Sequence, residues 1–287
     1  MIRHSLSILS LGLALFSTPL EARDEGAAAA VLGVKDLVSF WRFQEEPGTA
    51  RVAEGSFPAL LLEGNNQPVA RANEGLFGEF SLSVQQGKWL RIPREKLGPL
   101  DIHGPEAQVT LIAWVKREAD TYWQSVAGVW NESHSGRQYM LFLNARAATD
   151  SRTLDRVDCK NRIHGHISAL GSKTPGHQVW KQYASGASEV PLGSWHMLAM
   201  TYDSKQIRLY LDGQLDSWEH FNPFPYDEGI FDGGEKGSEF TVGANHVREV
   251  ANNNPFGGKI AGLAVFDRAL AEDELAALAR KTLPERD

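Results

Sequence analysis

The order of apolar and polar residues along this chain is typical of β-strands from residue 36 onward. Residues 37–43 are rich in β-branched and aromatic side chains, and a Glu-Pro-Gly turn ends the run. Strict alternation over 207–211 indicates a strand with one face in water, whereas other runs are apolar on both faces, as in buried strands. Further strands are predicted at 110–116, 139–143, 195–202, 206–211, 240–243 and 259–266.

Turn and helix signals complete this picture. Asp212-Gly213 follows one of the strands and favours a tight hairpin turn, because both residues tolerate positive φ. One segment, 272–281, has helical spacing, with Leu275 and Leu278 three apart after an acidic first turn. The pattern therefore predicts an all-β fold, a sandwich or a jelly roll, with a short C-terminal helix.

The first residues, 1–22, have the pattern of a secretory signal peptide. Arg3 supplies a basic start, and the apolar run over 6–16 is too short to cross a bilayer. A Ser-Thr-Pro break follows, and Ala22 provides a small residue for cleavage. We expect a secreted or periplasmic protein with a flexible leader over 23–35, and no later run is long enough to be a transmembrane segment.

Composition narrows the class of protein. The chain has 287 residues, 42% hydrophobic and 23% charged, which is a globular composition. We expect one domain over 36–270, followed by a helix and tail over 271–287. The net charge of −7 argues against nucleic acid as the main partner. The single cysteine, Cys159, excludes an intrachain disulfide, and whether its thiol is reactive or incidental stays open.

Two consecutive segments resemble the signature hairpin of laminin G-like domains, which belong to the concanavalin A-like lectin/glucanase superfamily. They are 193–203 (GSWHMLAMTYD) and 207–213 (IRLYLDG). Three shorter runs fall in the family's expected order, at 37–45, 109–116 and 258–275. The resemblance implies a jelly roll of two curved antiparallel sheets with the C-terminal helix packed outside.

Calcium is the one cofactor that the resemblance brings into question. Some members bind calcium through loop carboxylates and backbone carbonyls, since hard cations prefer oxygen ligands. Many relatives carry a Gly-x-Ile-Asp pattern early in the closing strand, where this chain has Ala261 instead of the acid. The remaining calcium candidates are Asp203, Asp212 and Asp267, each of which also fits a turn.

The superfamily also contains glycoside hydrolases. Laminarinase-type members use a Glu-x-Asp-x-x-Glu strand that supplies both the nucleophile and the acid/base carboxylate. The best match here is Glu118, Asp120 and Trp123, so the acid/base carboxylate is missing. We interpret Glu118 and Asp120 as solvated acids beyond the end of a strand.

Polysaccharide lyases are a second catalytic alternative. Alginate-lyase-like members use a Gln-x-His pair with an Arg and a Tyr. Arg162, His164 and His166 alternate here, so they share one face of a strand, where a histidine can act as a base or bind an acidic sugar. Arg162 stands where the lyases have Gln, however, and a polar strand that simply faces solvent is the other interpretation.

Aromatic residues outside the strand patterns are candidates for stacking on sugar rings. The stretch 218–236 combines aromatics with two prolines, and it predicts either a rigid lid or a plain connection between sheets. Asn252 to Asn254 either add amide hydrogen bonds to the same rim or form a turn. The candidate ligand-binding residues are Trp218, Tyr226, Trp180, Trp123, Arg162, His164 and His166.

We therefore expect a secreted, non-catalytic binding module whose partner is a polysaccharide or another glycan. One alternative is a polysaccharide-degrading enzyme on the same fold, with Arg162, His164 and His166 at its centre. Another is a module that binds a protein surface. Fold alone does not choose among them.

Overall fold

The computed structural model of this chain describes residues 20–65, 67–133, 136–247 and 250–285. Within these ranges the chain forms twenty-one strands, two α-helices and three 3₁₀ turns. In chain order these are α1 (Leu20–Leu32), β1 (Leu37–Trp41), β2 (Arg51–Val52), β3 (Leu60–Glu63), β4 (Ala70–Ala72), β5 (Ser81–Val84), β6 (Leu90–Ile92), 3₁₀ turns Arg94–Lys96 and Gly98–Leu100, β7 (Val109–Arg117), β8 (Gln124–Val129), β9 (Tyr139–Leu143), β10 (Ala147–Thr149), β11 (Arg156–Asp158), β12 (Ile163–Ile167), β13 (Tyr183–Ser185), β14 (Trp195–Tyr202), β15 (Gln206–Leu211), β16 (Gln214–Leu215), β17 (Phe224–Pro225), 3₁₀ turn Gly234–Lys236, β18 (Phe240–Val242), β19 (Asn245–Val247), β20 (Val250–Asn253), β21 (Gly258–Phe266) and α2 (Glu272–Thr282).

Two large antiparallel sheets contain most of the strands. The first sheet has the order β16-β15-β14-β7-β21-β5-β4, with β1 paired to β21 and β17 paired to β15. The second has the order β13-β12-β9-β8-β18-β6-β3-β2. Two hairpins, β10–β11 and β19–β20, lie outside these sheets. The predicted two-sheet sandwich with a C-terminal helix is confirmed, and β9, β14 and β15 cover the same residues as the predicted runs.

The main core lies between the two sheets, and β12 shows how closely they approach. A Cβ at Gly165 would lie 2.7 Å from Leu209 Cδ2 and 2.8 Å from Met200 Sδ in the first sheet. A side chain at this position would therefore push the sheets apart. Because neighbouring residues on a strand point to opposite faces, His164 and His166 point away from this core, onto the outer face of the second sheet.

A second apolar cluster covers the outer face of the first sheet beneath the two helices. Leu275 and Leu278 of α2 are buried there, and Thr282 accepts a hydrogen bond from Trp114 Nε1 at 2.7 Å. Val31 of α1 is buried in the same cluster. Helix α2 therefore packs on the sheet as its apolar spacing predicts.

Residues 23–35, which we expected to form a flexible leader, are mostly helical. Helix α1 begins at Leu20 and continues through the expected cleavage point at Ala22 to Leu32. The small side chains of Ala27 and Ala28 are buried against the second cluster, and they allow α1 to approach α2 closely. The rest of the predicted signal peptide lies outside the described residues. No helix in the described ranges is both long and apolar enough to cross a membrane.

The long stretch over 218–236 is a packed connection between the sheets. The side chain of Asn222 donates to the carbonyls of Leu209 and Asp216 at 3.0 and 2.7 Å, and it accepts from the Leu209 amide at 2.9 Å. Strand β17 pairs with β15, and Phe231 N donates to Ser168 O at 2.7 Å. These bonds hold the stretch in place, so the structure favours the connection over the lid.

Candidate functional site

A cavity of about 280 Å³ lies on the outer face of the second sheet. His166 of β12 is the one lining residue that belongs to a large sheet. The other walls come from the segments that flank β8, the two small hairpins, and the connection between β12 and β13. The lining residues are Trp123, Glu132, Arg156, His166, Val179, Trp180, Asn253 and Asn254. Three of the predicted ligand-binding residues, Trp123, His166 and Trp180, therefore meet in one cavity.

Aromatic rings surround His166. Its ring stacks on Tyr183, with centroids 4.4 Å apart and planes at 12°. Edge-on contacts join it to Trp130 at 5.3 Å and to Trp123 at 6.3 Å. Because His166 and Tyr183 are cross-strand partners on β12 and β13, the sheet register itself creates the stack.

The imidazole of His166 is buried and lacks hydrogen bonds. The residue is 3% exposed, and neither ring nitrogen has a partner among the residues that the structure describes. Burial holds the pKa of His166 well below its ordinary value, and the nearby His164, Arg137 and Arg156 lower it further. The ring is therefore neutral at pH 7 and offers one donor and one acceptor. Unsatisfied buried polar atoms cost free energy, which a ligand hydroxyl can recover.

Trp180 forms a second aromatic wall, supported from behind by Tyr226. The indole Nε1 of Trp180 has no partner in the described part of the chain. Tyr226 contacts it edge-on at 6.2 Å and accepts a hydrogen bond from Ala169 N at 2.7 Å. Tyr226 itself is only 3% exposed. The expectation that Tyr226 stacks on a ligand therefore gives way to a supporting role, because no face of its ring is available.

Glu132 is a lining carboxylate whose charge is balanced. Its Oε2 accepts from Arg137 Nη2 at 2.9 Å, and its Oε1 accepts from Trp130 Nε1 at 2.9 Å. Arg137 is buried and lies over the Trp130 ring at 5.8 Å. The sequence analysis did not identify Glu132. The polar residues directly after Trp130 were a signal that an apolar strand ends there and a polar segment begins.

The turn that carries Trp123 is held by several hydrogen bonds. Trp123 has φ of 59°, a left-handed conformation that is costly for a bulky residue. Its amide donates to Asn144 O at 2.9 Å, while Asn144 Nδ2 donates to Thr121 O at 2.9 Å. Gln124 Nε2 also donates to the Thr121 carbonyl at 2.9 Å. The surrounding bonds therefore fix the indole at the cavity before any ligand arrives.

Arg162 directly precedes β12, and His164 and His166 lie on it, but the structure brings only His166 to the cavity. His164 is fully buried and its Nδ1 lies 2.9 Å from Ser185 Oγ. Burial, with a smaller effect of Arg162, lowers the pKa of His164 to about 3. The sequence left two interpretations of these residues, a catalytic trio and a polar strand that faces solvent. The structure has a covered strand instead, because Trp130 and neighbouring segments pack over it.

Arg162 and Trp218 form a separate pair away from this cavity. The Arg162 guanidinium lies 4.2 Å from the centre of the Trp218 ring, and Trp218 stacks on Phe221 at 4.1 Å. Neither Arg162 nor Trp218 is among the lining residues. Arg162 and Trp218, which we predicted to contact a ligand, therefore contact each other.

The acids that resemble part of a glycosidase motif are held in ion pairs. Glu118 binds Lys259 Nζ at 2.8 Å, and Asp120 binds the buried guanidinium of Arg117. Both acids lie beyond the end of β7 and are exposed, as we expected of solvated acids, and each also has a cationic partner. These carboxylates brace strand ends, and neither lines the cavity.

Two of the calcium candidates are turn residues with other partners. Asp203 accepts from the amides of Lys205 and Gln206 and pairs with Arg208 at 2.7 Å. These contacts hold the pKa of Asp203 below its ordinary value, although its burial acts in the opposite direction. Asp212 lies at the other end of β15, so it cannot share an ion with Asp203. A cationic partner on the carboxylate makes Asp203 a poor calcium ligand.

Asp267, the third calcium candidate, is exposed. Sequence reasoning missed a different group, in which ligand atoms of Asp101, His103 and Asp232 lie within 4.8 Å of one another. Asp101 is already bound there by Arg94 Nη2 at 2.6 Å and by Gln138 Nε2 at 3.0 Å. We therefore interpret these three residues as part of a hydrogen-bond network.

A Ser-His-Asp chain of hydrogen bonds braces the signature hairpin. Ser194 Oγ lies 3.0 Å from His196 Nε2, and His196 Nδ1 lies 2.8 Å from Asp212 Oδ2. Asp212 Oδ1 also accepts from Met197 N at 2.8 Å, which ties the end of β15 to β14. The order of the three side chains resembles a hydrolase triad, but these residues do not line the cavity. Their hydrogen bonds stabilise the hairpin turn.

The comparison with protein families decides where this fold belongs. The model of the Laminin_G_3 family, described as Concanavalin A-like lectin/glucanases superfamily, matches residues 85–276. The chain belongs to this family. The resemblance seen in the hairpin sequence is thereby confirmed, and the two-sheet sandwich is the concanavalin A-like fold.

The chain is also similar to a plant protease and to two solved structures, an arabinanase domain and a sialidase. The calpain-type cysteine protease DEK1 of Zea mays is 30% identical over 112 residues, 35% of this chain and only 5% of that protease. Domain 4 of the GH43 arabinanase AbnA of Geobacillus stearothermophilus, solved with arabinotriose, matches with TM-score 0.53 at 18% identity, covering 85% of this chain and 98% of that domain. Trypanosoma rangeli sialidase matches with TM-score 0.52 at 12% identity, covering 91% of this chain and 38% of the sialidase.

Proposed function

We propose that this Laminin_G_3 protein binds glycans through the cavity around His166 and does not cleave them. The observation that carries the proposal is His166, a buried, neutral histidine with unpartnered ring nitrogens that lines a cavity together with Trp123 and Trp180. Sugars combine hydroxyl groups, which pair with such nitrogens, with C–H faces that stack on indole rings.

The size of the cavity supports a short ligand segment. Its volume of about 280 Å³ lies near the lower end of the range for small-molecule pockets. One sugar ring fits such a space better than several units of a chain do. The arabinanase domain supports a glycan ligand in general terms, since a domain of this fold was solved with arabinotriose.

The carboxylates of the cavity support binding over hydrolysis. A retaining or inverting glycosidase needs two carboxyl groups on either side of the scissile bond. Glu132 is the single carboxylate among the lining residues, and its oxygens are bound by Arg137 and Trp130. Glu118 and Asp120 are held in ion pairs elsewhere. The described residues therefore supply no such pair at the cavity.

The test is binding of the purified protein to a glycan array, followed by calorimetry on each hit. Trp123→Ala should weaken binding about tenfold, because it removes one stacking wall. Tyr122→Ala is the matched control: the neighbouring residue is 46% exposed and lies on Arg146, outside the lining. Trp218→Ala should also leave affinity unchanged. Failure to bind any glycan, or loss of binding in Trp218→Ala with Trp123→Ala unaffected, would overturn the proposal.

A lyase is the second candidate, and one observation favours it. A neutral imidazole lies close enough to Arg156 for that cation to lower its pKa. In β-elimination from a uronic acid, a neutral base removes the proton beside a carboxylate that a cation stabilises. The freed electron pair forms a C=C bond, the adjacent glycosidic C–O bond breaks, and the leaving oxygen takes the proton back from the imidazolium. Incubation with uronate polymers should then produce an unsaturated sugar with new ultraviolet absorbance. An unchanged spectrum with a polymer that binds would exclude this candidate.

We also propose that the protein acts outside the cytoplasm. The basic start and short apolar run of residues 1–22 support export. Edman sequencing of protein from culture medium or periplasm should give a mature chain that starts near Arg23. Recovery of the chain only from the cytoplasm, with Met1 in place, would refute this proposal.

A further inference from the structure

We infer that the glycan bound at this cavity carries a negative charge and that Arg156 is the residue that holds the anionic group. The inference rests on the proposed function and names its ligand class. A carboxylate and a sulfate ester share the chemistry that matters here, two or three acceptor oxygens that match the fork of a guanidinium.

The first argument is the charge balance of the lining. Glu132 and Arg156 are the charged lining residues, and they differ in their partners. Glu132 is neutralised by the buried Arg137. Arg156 forms no ion pair with a carboxylate anywhere in the described ranges, and it is exposed at the start of β11. The cavity therefore has one uncompensated positive charge on a protein whose net charge is −7.

The second argument is the environment of His166. Burial is the main cause of the low pKa of His166, and the positive charges of Arg137 and Arg156 lower it further, so both cations lie near the floor of the cavity. Asn253 and Asn254 line the same cavity. Amide N–H groups beside a guanidinium form a donor set for an anion, and a neutral sugar does not require the cation.

The third argument is an adjoining depression that continues the positive character. It has a volume of about 400 Å³ and shares Glu132 with the first cavity. Lys173 and His177 line it, together with Arg137. Glu132 is again the single carboxylate among its described lining residues. Since Arg137 is paired with Glu132, a sugar chain that leaves the first cavity on this side meets one further cation, Lys173.

The experiment compares acidic oligosaccharides with their neutral counterparts by calorimetry on the full protein. The probes are a uronic acid oligomer and its carboxyl-reduced form, a sialylated oligosaccharide and its desialylated form, and a sulfated oligosaccharide and its desulfated form. We expect at least one acidic probe to bind about tenfold more tightly than its neutral partner. The three pairs show whether a uronate, a sialic acid or a sulfate ester is the source of the charge.

Three variants on one hairpin test the role of Arg156. Arg156→Gln should lower the affinity for the acidic probe about tenfold and leave the neutral probe unaffected. Arg152→Gln is the matched control, because Arg152 lies in the same hairpin, pairs with Asp150 and does not line the cavity. Arg156→Lys should keep part of the preference, since it retains the charge and loses the fork.

The outcomes separate the inference from the proposed function. Equal affinity for acidic and neutral probes, with Trp123→Ala still weakening both, would overturn the inference and leave glycan binding in place. An equal loss in Arg152→Gln and Arg156→Gln would overturn the assignment to Arg156. No binding of any probe would overturn the proposed function, and the inference with it.

Discussion

At the residue scale, the two buried histidines couple folding stability to pH. Burial lowers the pKa of His164 from 6.5 to about 3 and holds the pKa of His166 well below its ordinary value. Below about pH 6.5 the unfolded chain takes up protons that the folded chain refuses. This contribution to stability is therefore complete above that pH and is lost as the pH falls toward the folded pKa values, by about 1.4 kcal/mol per pH unit per histidine.

Denaturant unfolding of the protein between about pH 7 and pH 5 measures this effect. His164→Gln should have a shallower loss of unfolding free energy than wild type, because one titrating group is gone. Ser185→Ala is the control, since it removes the hydrogen-bond partner and keeps the imidazole. Identical pH slopes in wild type and His164→Gln would contradict the assignment.

Cys159 is the other residue whose chemistry follows from its surroundings. Burial raises the pKa of its thiol to about 11, and its Sγ lies 3.8 Å from the carbonyl of Ala145. The thiolate is the reactive form, so alkylation by iodoacetamide at pH 8 should be more than about tenfold slower than that of a free cysteine. Denaturant should restore the rate. Fast alkylation of the native protein would show a more open thiol than the structure has.

At the element scale, the packing of α1 decides whether the segment after residue 22 belongs to the fold. Val31 is buried beneath α2, whereas the neighbouring Leu32 is 39% exposed. Val31→Asp should lower the free energy of unfolding by more than about 2 kcal/mol, since it buries an unpaired charge. Leu32→Asp is the control and should change stability by less than about 0.5 kcal/mol. Equal effects of the two substitutions, measured by urea unfolding, would show that α1 does not pack on the sheet.

The elements also show what the sequence could predict. Strands such as β14 and β15 follow from local patterns, because apolar residues, alternation and turns fix each one without help from distant segments. The cavity has no such local signal. Trp123, His166 and Trp180 stood out as residue types, and Asn253 was a candidate for the rim. Arg156 was missed, because it enters the site only through a hairpin outside the sheets.

Strand β12 shows the limit most clearly. Its alternation of histidines with other residues predicted one polar face, and the register does place His164 and His166 on one side. The prediction went wrong on exposure. Trp130 and the segments around it fold over that face. These segments have no periodic pattern in the sequence that would predict where they pack. His164 contacts Ser185 and Tyr183 and is fully buried, whereas His166 lines the cavity.

At the scale of the whole molecule, the cavity joins residues that are far apart in the chain. Trp123 and Asn254 lie at opposite ends of the sequence that builds it. A bound ligand therefore stabilises the complete fold, and its effect follows the binding equilibrium. At a glycan concentration of about 100 times Kd, the free energy of unfolding should rise by about 2.7 kcal/mol. Thermal unfolding measures this, and a ligand that binds without raising Tm would place its site on a locally folded segment.

The two sheets also divide their outer faces between different tasks. Helices α1 and α2 cover the first sheet with an apolar cluster, and the second sheet carries the cavity. Stability and recognition are thus built on opposite sides of one core. The family fold supplies the core, while the chemistry of the site comes from residues that the fold does not dictate.

The placement of the cavity walls outside the large sheets has a consequence for the history of such proteins. Every lining residue except His166 lies outside the two large sheets. A substitution at any of these positions therefore leaves the hydrogen bonds between the sheet strands in place. Selection can therefore alter the preferred sugar through substitutions at positions such as Trp123 or Arg156 at little expense to the frame. We expect descendants of one ancestral domain to diverge in ligand while their sheets stay superimposable.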